Sequence, residues 1–299
     1  MFVSVVICSY NRAAYISGAL DSLYNQTASR GDFEVIVVDN NSTDGTEQVF
    51  QTWRNQFTDG HFYYTTETNQ GASYARNKGA MLAKGEWICF MDDDAIATKE
   101  YIQNIIQHIQ TKPNALGFGG KIIPKYIPNE PKWMSYYVSS LVGNFDYAPV
   151  ACVFEHGKYP LESNMIVKKS IFELIGGFNV AIPGVVGTLR IGGEGKELFY
   201  KILALGEQIY YDPSICVHHV VEVAKLTPEY MYRVASGIGR GERARTKAIS
   251  QSAYFKKIVE YLLKLGASIL LGIKYTLQGN PAQFWPIIQF RIDALKGLL

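Results

Sequence analysis

Over the first hundred residues, short apolar runs alternate with helical stretches, and this alternation restricts the chain to an α/β architecture. The runs are Phe2–Cys8, Phe33–Val38, Phe62–Thr66 and Trp87–Met91, rich in β-branched and aromatic residues. Helix-period stretches follow them near 13–25, 43–57, 72–83 and 98–111. Strands joined through helices lie parallel, in a sheet whose two faces the helices cover. In such sheets ligands bind beyond the carboxyl ends of the strands. The polar residues after each run therefore predict the site: Ser9-Tyr10-Asn11-Arg12, Asp39-Asn40-Asn41-Ser42, Glu67-Thr68-Asn69-Gln70-Gly71 and Asp92-Asp93-Asp94.

Prolines break the pattern between about 112 and 160, which reads as irregular loops around one or two strands. A second module over 161–222 runs Leu161–Lys168, a short helix at 170–175, Gly176-Gly177-Phe178, a Gly-rich loop, a helix at Glu194–Leu205 and a strand at Gln208–Tyr211. Beyond Thr227-Pro228-Glu229 the remainder reads as helical. The expected division is an α/β half at 1–111 that carries the predicted site, a second half of the same domain at 112–224, and a basic helical extension at 225–299.

Cys8, Cys89, Cys152 and Cys216 are widely spaced and form no CxxC pair, which points to a reduced, intracellular chain without structural zinc. The apolar start lacks a basic leader and reaches polar residues at once, as a first strand does and a signal peptide does not. No run attains the roughly 18 apolar residues a membrane span needs, so a cytoplasmic location is expected. Residues 1–224 hold 17 Lys and Arg against 23 Asp and Glu, a balance of −6; residues 225–299 hold 12 against 4, a balance of +8. A basic tail suits an anionic partner. Its long-helix character favours a membrane surface over nucleic acid.

Three adjacent carboxylates at a strand end repel one another unless a cation or donors compensate. One or two carboxylates plus substrate phosphates are the usual hold on Mg²⁺ or Mn²⁺; the alternative is an acidic turn capping the next helix. Asp39 can accept from a pyrimidine N–H or a ribose hydroxyl, or start the following helix. Arg76 can neutralise a diphosphate bidentately, while Lys78 fits a solvated helix face equally well.

Several blocks, in order over residues 2–222, resemble the family-2 glycosyltransferases: Ser4 through Arg12, Val37 through Thr46, Asn69-Gln70-Gly71 through Gly79, Phe90-Met91-Asp92-Asp93-Asp94, Gly176-Gly177-Phe178-Asn179 and Gly192-Gly193-Glu194. The resemblance implies a GT-A fold, a mostly parallel Rossmann-like sheet with helices on both faces, here followed by the helical extension. It implies a nucleotide-sugar donor, a divalent metal (Mn²⁺ or Mg²⁺) and an inverting transfer to a glycan or lipid-linked acceptor. By motif match, Ser9, Tyr10 and Asp39 contact base and ribose, and Arg76 the nucleotide. Asp92 and Asp93 lie on the ribose and diphosphate side, and Asp94 is the metal ligand of the DxD motif.

The chain departs from the family where an acidic pair is expected, reading Gly193-Glu194-Gly195-Lys196-Glu197. Glu194 is the expected base, with Glu197 in reserve on the same helical face; the alternative is that Glu194 caps the helix. The family often carries a histidine near the metal, here His218 or His219. Alternation allows one of them to face the crevice, and His218 is the ligand expected. Leu161-Glu162-Ser163-Asn164-Met165 is expected to face the acceptor, and Trp133, Tyr136 and Tyr137 either stack on sugar or pack in a core.

On the tail, Lys256, Lys257, Glu260 and Lys264 form a narrow polar stripe beside a wide apolar face between Tyr254 and Ile273. Such a helix either lies on the inner leaflet of a membrane or packs on the core. Two other functions compete with transfer: a catalytically silent nucleotide-sugar binder, and a nucleotidyltransferase. Ser9-Tyr10-Asn11-Arg12 lacks the Gly-rich triphosphate loop that the last needs.

Overall fold

A computed structural model describes residues 2–155, 157–186, 189–206 and 208–299. Gly187 and Thr188 of the Gly-rich loop lie outside the described residues, as do Met1, His156 and Glu207. Two compact units are formed. The first comprises Met1–Ile123, Phe145–Ala181 and Gly195–His219; the second comprises Pro124–Asn144, Ile182–Glu194 and Val220–Leu299.

The four sequence runs become β1 (Val3–Ser9), β2 (Phe33–Asp39), β3 (Phe62–Thr66) and β4 (Trp87–Asp92). They alternate with α1 (Ile16–Tyr24), α2 (Thr46–Gln56), α3 (Ala72–Leu82) and α4 (Tyr101–Thr111). Between β4 and α4 lies a short strand, β5 (Ala95–Ala97). Then come β6 (Gly117–Ile127), β7 (Cys152–Val153), β8 (Asn164–Lys168) and α5 (Lys169–Leu174). β9 (Gly184–Val186) and β10 (Leu189–Ile191) precede α6 (Glu194–Leu203) and β11 (Ile209–Glu222).

Among the described residues nine strands form one sheet in the order β3-β2-β1-β4-β8-β6-β11-β5, with β7 also on β11. The first four are parallel; β8 runs antiparallel between β4 and β6. Alternate β1 side chains feed two cores. Val3, Val5 and Ile7 pack with α1 residues such as Leu20 and with Phe50 and Trp53 of α2, while Val6 packs with α3, Phe90, Phe172 and α6 residues such as Phe199. A side chain at Gly79 of α3 would come within 2.3 Å of Val6, so the glycine lets the helix settle directly on the sheet.

Proline-rich 112–160 hides the long strand β6. Its Gly119-Gly120 pair exists for close approach: a Cβ on Gly120 would lie 1.7 Å from the Ile215 carbonyl oxygen. Asn164 fills the same spot with polar contacts. Its amide donates to the carbonyls of Lys121 (3.0 Å) and Ile215 (2.9 Å), and its carbonyl oxygen accepts from the Tyr101 hydroxyl at 2.8 Å. One fully buried side chain thereby fixes where β6, β8, β11 and α4 meet.

In the second unit, β9 and β10 form a separate two-stranded sheet. α7 (Pro228–Ile249), α8 (Gln251–Leu277) and α9 (Phe284–Leu298) bury a cluster that includes Val234, Tyr254, Tyr261, Ile287 and Phe290 together with Met134 and Val138. Thr227 caps α7 by accepting from the Tyr230 amide, with Pro228 at the first helical position.

Candidate functional site

The loops after β1 and β2 are stitched to each other. Asn11 donates its amide to Ser42 Oγ and accepts from the Thr43 amide, both at 2.8 Å, and Asp44 accepts from the Ala13 amide at 3.0 Å. Asn11 and Asn41 both take positive φ, 54° and 72°, a conformation asparagine tolerates better than most residues. Asp39, buried at the end of β2, is held from two sides: the Ser42 amide donates to one oxygen at 2.9 Å and the Tyr64 hydroxyl to the other. Burial and then the Asp39 bond push the Tyr64 hydroxyl well above its ordinary pKa, so it stays a donor. Asn40 pins the next loop by donating to the carbonyls of Glu67 and Asn69 and accepting from the Gly71 amide.

At the end of β4 the three carboxylates are buried or half-buried, and each has its own basic side chain nearby. Arg76 Nη2 lies 3.8 Å from Asp92, Arg12 Nε lies 3.6 Å from Asp93, and His219 Nε2 lies 2.9 Å from Asp94. Burial, reinforced by the Asp94 charge, pushes the Asp93 carboxyl up to about 8, against the pull of Arg12 and the Ser9 hydroxyl. Burial likewise pushes the Cys8 thiol up to about 12, so it stands beside these carboxylates as a neutral group. All four cysteines are free thiols.

The histidine at Asp94 is His219, not His218. β11 pairs antiparallel with β5 so that His219 sits opposite Ala95 and His218 opposite Ile96. Ala95 directly follows Asp94, so the register hands Asp94 the ring of His219, and alternation sends His218 to the other face. Asp92, Asp94 and His219 each offer a ligand atom within 4.8 Å of the others. Atoms bound at about 2.1 Å to one ion lie at most about 4.2 Å apart, so a small inward movement suffices. Two carboxylates and an imidazole fit Mn²⁺ better than Mg²⁺, which prefers an all-oxygen shell.

The remaining sequence candidates are more scattered. Ser9 is buried beside Asp93, and Tyr10 follows it at the rim. Lys78 donates to the Thr66 carbonyl on the helix surface. Asn77, one residue before it, makes paired bonds to the backbone of Phe178, donating to its carbonyl and accepting from its amide at 2.9 Å each. The Gly176-Gly177-Phe178-Asn179 block therefore serves to dock on α3. Glu194 is buried at the first position of α6 and belongs to the second unit. Glu197 pairs with Lys201 at 3.2 Å. Tyr137 stacks in the second unit's core, whereas Tyr136 is 68% exposed.

A half-parallel sheet with an acidic cluster at a central strand end, flanked by Arg12 and Arg76, is the GT-A arrangement. The Pyrobaculum calidifontis mannosyltransferase PcManGT, solved with GDP-Man and Mn²⁺, shares this fold with a TM-score of 0.67, at 20% identity over 99% of this chain and 86% of its own. The model of glycosyl transferase family 2 matches residues 4–175, more than half of the sequence, and the chain belongs to that family of glycosyltransferases. A glucosyl-dolichyl phosphate glucuronosyltransferase of Haloferax volcanii is 27% identical over 73% of this chain and 69% of its own length. A poly(ribitol-phosphate) beta-glucosyltransferase of Bacillus spizizenii is 34% identical over 42% of this chain, which spans only 21% of that protein.

Proposed function

We propose that the chain is a metal-dependent, inverting transferase that moves a sugar from a nucleoside-diphosphate donor, first among them a UDP-sugar, to a hydroxyl of a glycan or lipid-linked acceptor. The observation that carries the reading is the meeting of Asp92, Asp94 and His219 beside Arg76. On this reading those three residues hold Mn²⁺ or Mg²⁺. When bound, the ion neutralises charge on the leaving diphosphate and orients it. Arg76, nearly buried and 5.5 Å from the Phe178 ring, adds positive charge from a fixed position. Asp39, Ser9 and Tyr10 bind base and ribose. Asp93, buried and 3.6 Å from Arg12, contributes on the ribose and diphosphate side. The acceptor-side base comes from the module over 161–222.

Turnover of the full chain, read as nucleoside diphosphate released from a panel of nucleotide-sugars with Mn²⁺, tests this. Release from at least one donor, abolished by EDTA and by Asp94→Asn, is expected. Donor binding without release would return the silent binder, and incorporation from a triphosphate would return the nucleotidyltransferase.

The tail adds a second part to the proposal, a peripheral seat on the inner leaflet. No helix among the described residues is long and apolar enough to cross a membrane. Yet on α8 Phe255, Val259, Leu263, Leu270 and Leu277 are 63%, 55%, 70%, 70% and 83% exposed, at helical spacing along one side. Lys256, Lys264 and Lys274 accompany them, the pattern of a helix lying in an anionic interface. The full chain is expected to float with vesicles containing phosphatidylglycerol and to lose that property in the triple variant Phe255→Glu, Leu263→Glu, Leu270→Glu. Absence of flotation at low salt would sink this part.

A further inference from the structure

The family's acidic pair is broken by Gly195, and the structure shows what stands in the space its side chain would fill. A Cβ on Gly195 would lie 2.6 Å from Glu162 Oε1 and 2.8 Å from Cδ. The same Oε1 accepts the Gly195 amide at 2.9 Å. Unlike Gly193, with φ of 101°, Gly195 has no positive φ. Its backbone is open to any residue, and the space its side chain would take is held by the Glu162 carboxylate.

Glu162 is also held at the correct end of the sheet. It lies two residues before Asn164, which opens β8 and pairs with Met91, the residue preceding Asp92. The turn that carries it is closed by the Asn164 amide donating to the Leu161 carbonyl at 2.9 Å. Pro160, just before the turn, packs against Gly119, where a Cβ would come within 2.4 Å. Glu162 therefore sits on a fixed loop beside the strand end that bears the metal-binding carboxylates. A purely capping role accounts for the bond to the Gly195 amide, yet leaves the missing side chain at an ordinary φ unexplained. Glu197, the alternative on α6, is engaged by Lys201.

We propose that Glu162 is the general base of the transfer, supplying from the loop before β8 the carboxylate that the family pattern places at position 195. The assignment rests on the glycosyltransferase reading above. In the step, the Glu162 carboxylate takes the proton of the acceptor hydroxyl as its oxygen bonds to the anomeric carbon. The bond from that carbon to the diphosphate oxygen breaks, and the nucleoside diphosphate leaves with the electron pair.

The test compares wild type, Glu162→Gln, Glu194→Gln and the double variant Glu162→Gly with Gly195→Asp. Each is assayed for nucleoside diphosphate release with Mn²⁺ and a panel of alkyl glycosides, over pH 5 to 9, beside calorimetric binding of the nucleoside diphosphate. Glutamine at 162 keeps an acceptor for the Gly195 amide and removes the basic oxygen. Glu162→Gln is expected to lower kcat by about 10²–10⁴-fold, to flatten the acid limb of the pH profile and to leave diphosphate binding within threefold. The double variant, which returns the carboxylate from the family's own position, is expected to recover at least a tenfold part of the loss. Glu162→Gln turning over within threefold of wild type would overturn the assignment, as would loss confined to Glu194→Gln. Absence of release by the wild type with every donor would overturn the transferase reading itself, and this assignment with it.

Discussion

Replacing His219 is the most direct perturbation of the proposed metal site. Its ring is 8% exposed and 2.9 Å from the Asp94 carboxylate, which is 4% exposed and adjacent to buried Asp93. Removing a partner that merely orients a ligand typically costs 10–100-fold in metal affinity; His219 offers a ligand atom itself. Its loss should therefore cost at least about 100-fold, or about 2.8 kcal/mol at 1.4 kcal/mol per decade. His219→Asn keeps a polar group of similar reach against Asp94 while coordinating poorly, so the fold is expected to survive, as circular dichroism would show. His218→Ala is the control, because the register sets His218 opposite Ile96 on the other face. Calorimetric titration of the full chain with Mn²⁺ alone, at pH 7.5 and fixed salt, reads both. The reasoning is refuted if His219→Asn binds Mn²⁺ within threefold of wild type, or if His218→Ala is the variant that loses it.

Arg76→Lys should weaken binding of a nucleoside diphosphate by about tenfold or more in calorimetry, since lysine cannot reproduce a planar, nearly buried guanidinium; equal affinity would remove Arg76 from the site. Gly120→Ala forces a carbon against the Ile215 carbonyl and the Asn164 amide, and is expected to lower the urea midpoint by the equivalent of about 3 kcal/mol with an unchanged slope. Asp212 is partly buried, which opposes ionisation, but the His108 ring at 3.0 Å and the Ser214 donors hold its carboxyl below the ordinary range. Such a group stabilises the fold above its unfolded pKa near 3.9 and loses that contribution as pH falls through the lower folded value. Asp212→Asn should thus lower Tm at pH 7, with the gap to wild type closing below about pH 4; a gap constant down to pH 3 would contradict this.

The parallel half of the sheet is legible in the sequence because each strand is a compact β-branched run followed by its helix, and the observed strand ends fall within a residue or two of those runs. The second half is less legible for physical reasons. β6 contains Gly119, Gly120 and Pro124, and β11 runs through Pro213, residues that ordinarily end a strand. The two glycines are explained by partners distant in sequence, Pro160 against Gly119 and the Ile215 carbonyl against Gly120. The choice between His218 and His219 turned on pairing register: alternation says that two neighbours face opposite ways but not which way either faces. The sequence places Glu162 in the segment expected to face the acceptor but does not mark it as a base; its carboxylate in the place of the Gly195 side chain does that. A gap in an acidic pair is a signal to look for a carboxylate elsewhere, but only three dimensions say where.

The pairing of β11 with β5 also has a consequence for synthesis. During translation Asp92 and Asp94 leave the ribosome well before His219, and the strand that delivers the histidine joins the sheet late, beside β6 and β5. At 5–20 residues per second the acid triplet waits on the order of ten seconds for its third ligand. A nascent or C-terminally clipped chain that ends before His219 lacks the third side chain of the proposed metal site. The proposed site is therefore finished by the last described strand to arrive, so on this reading a chain that grips the ion has closed its sheet.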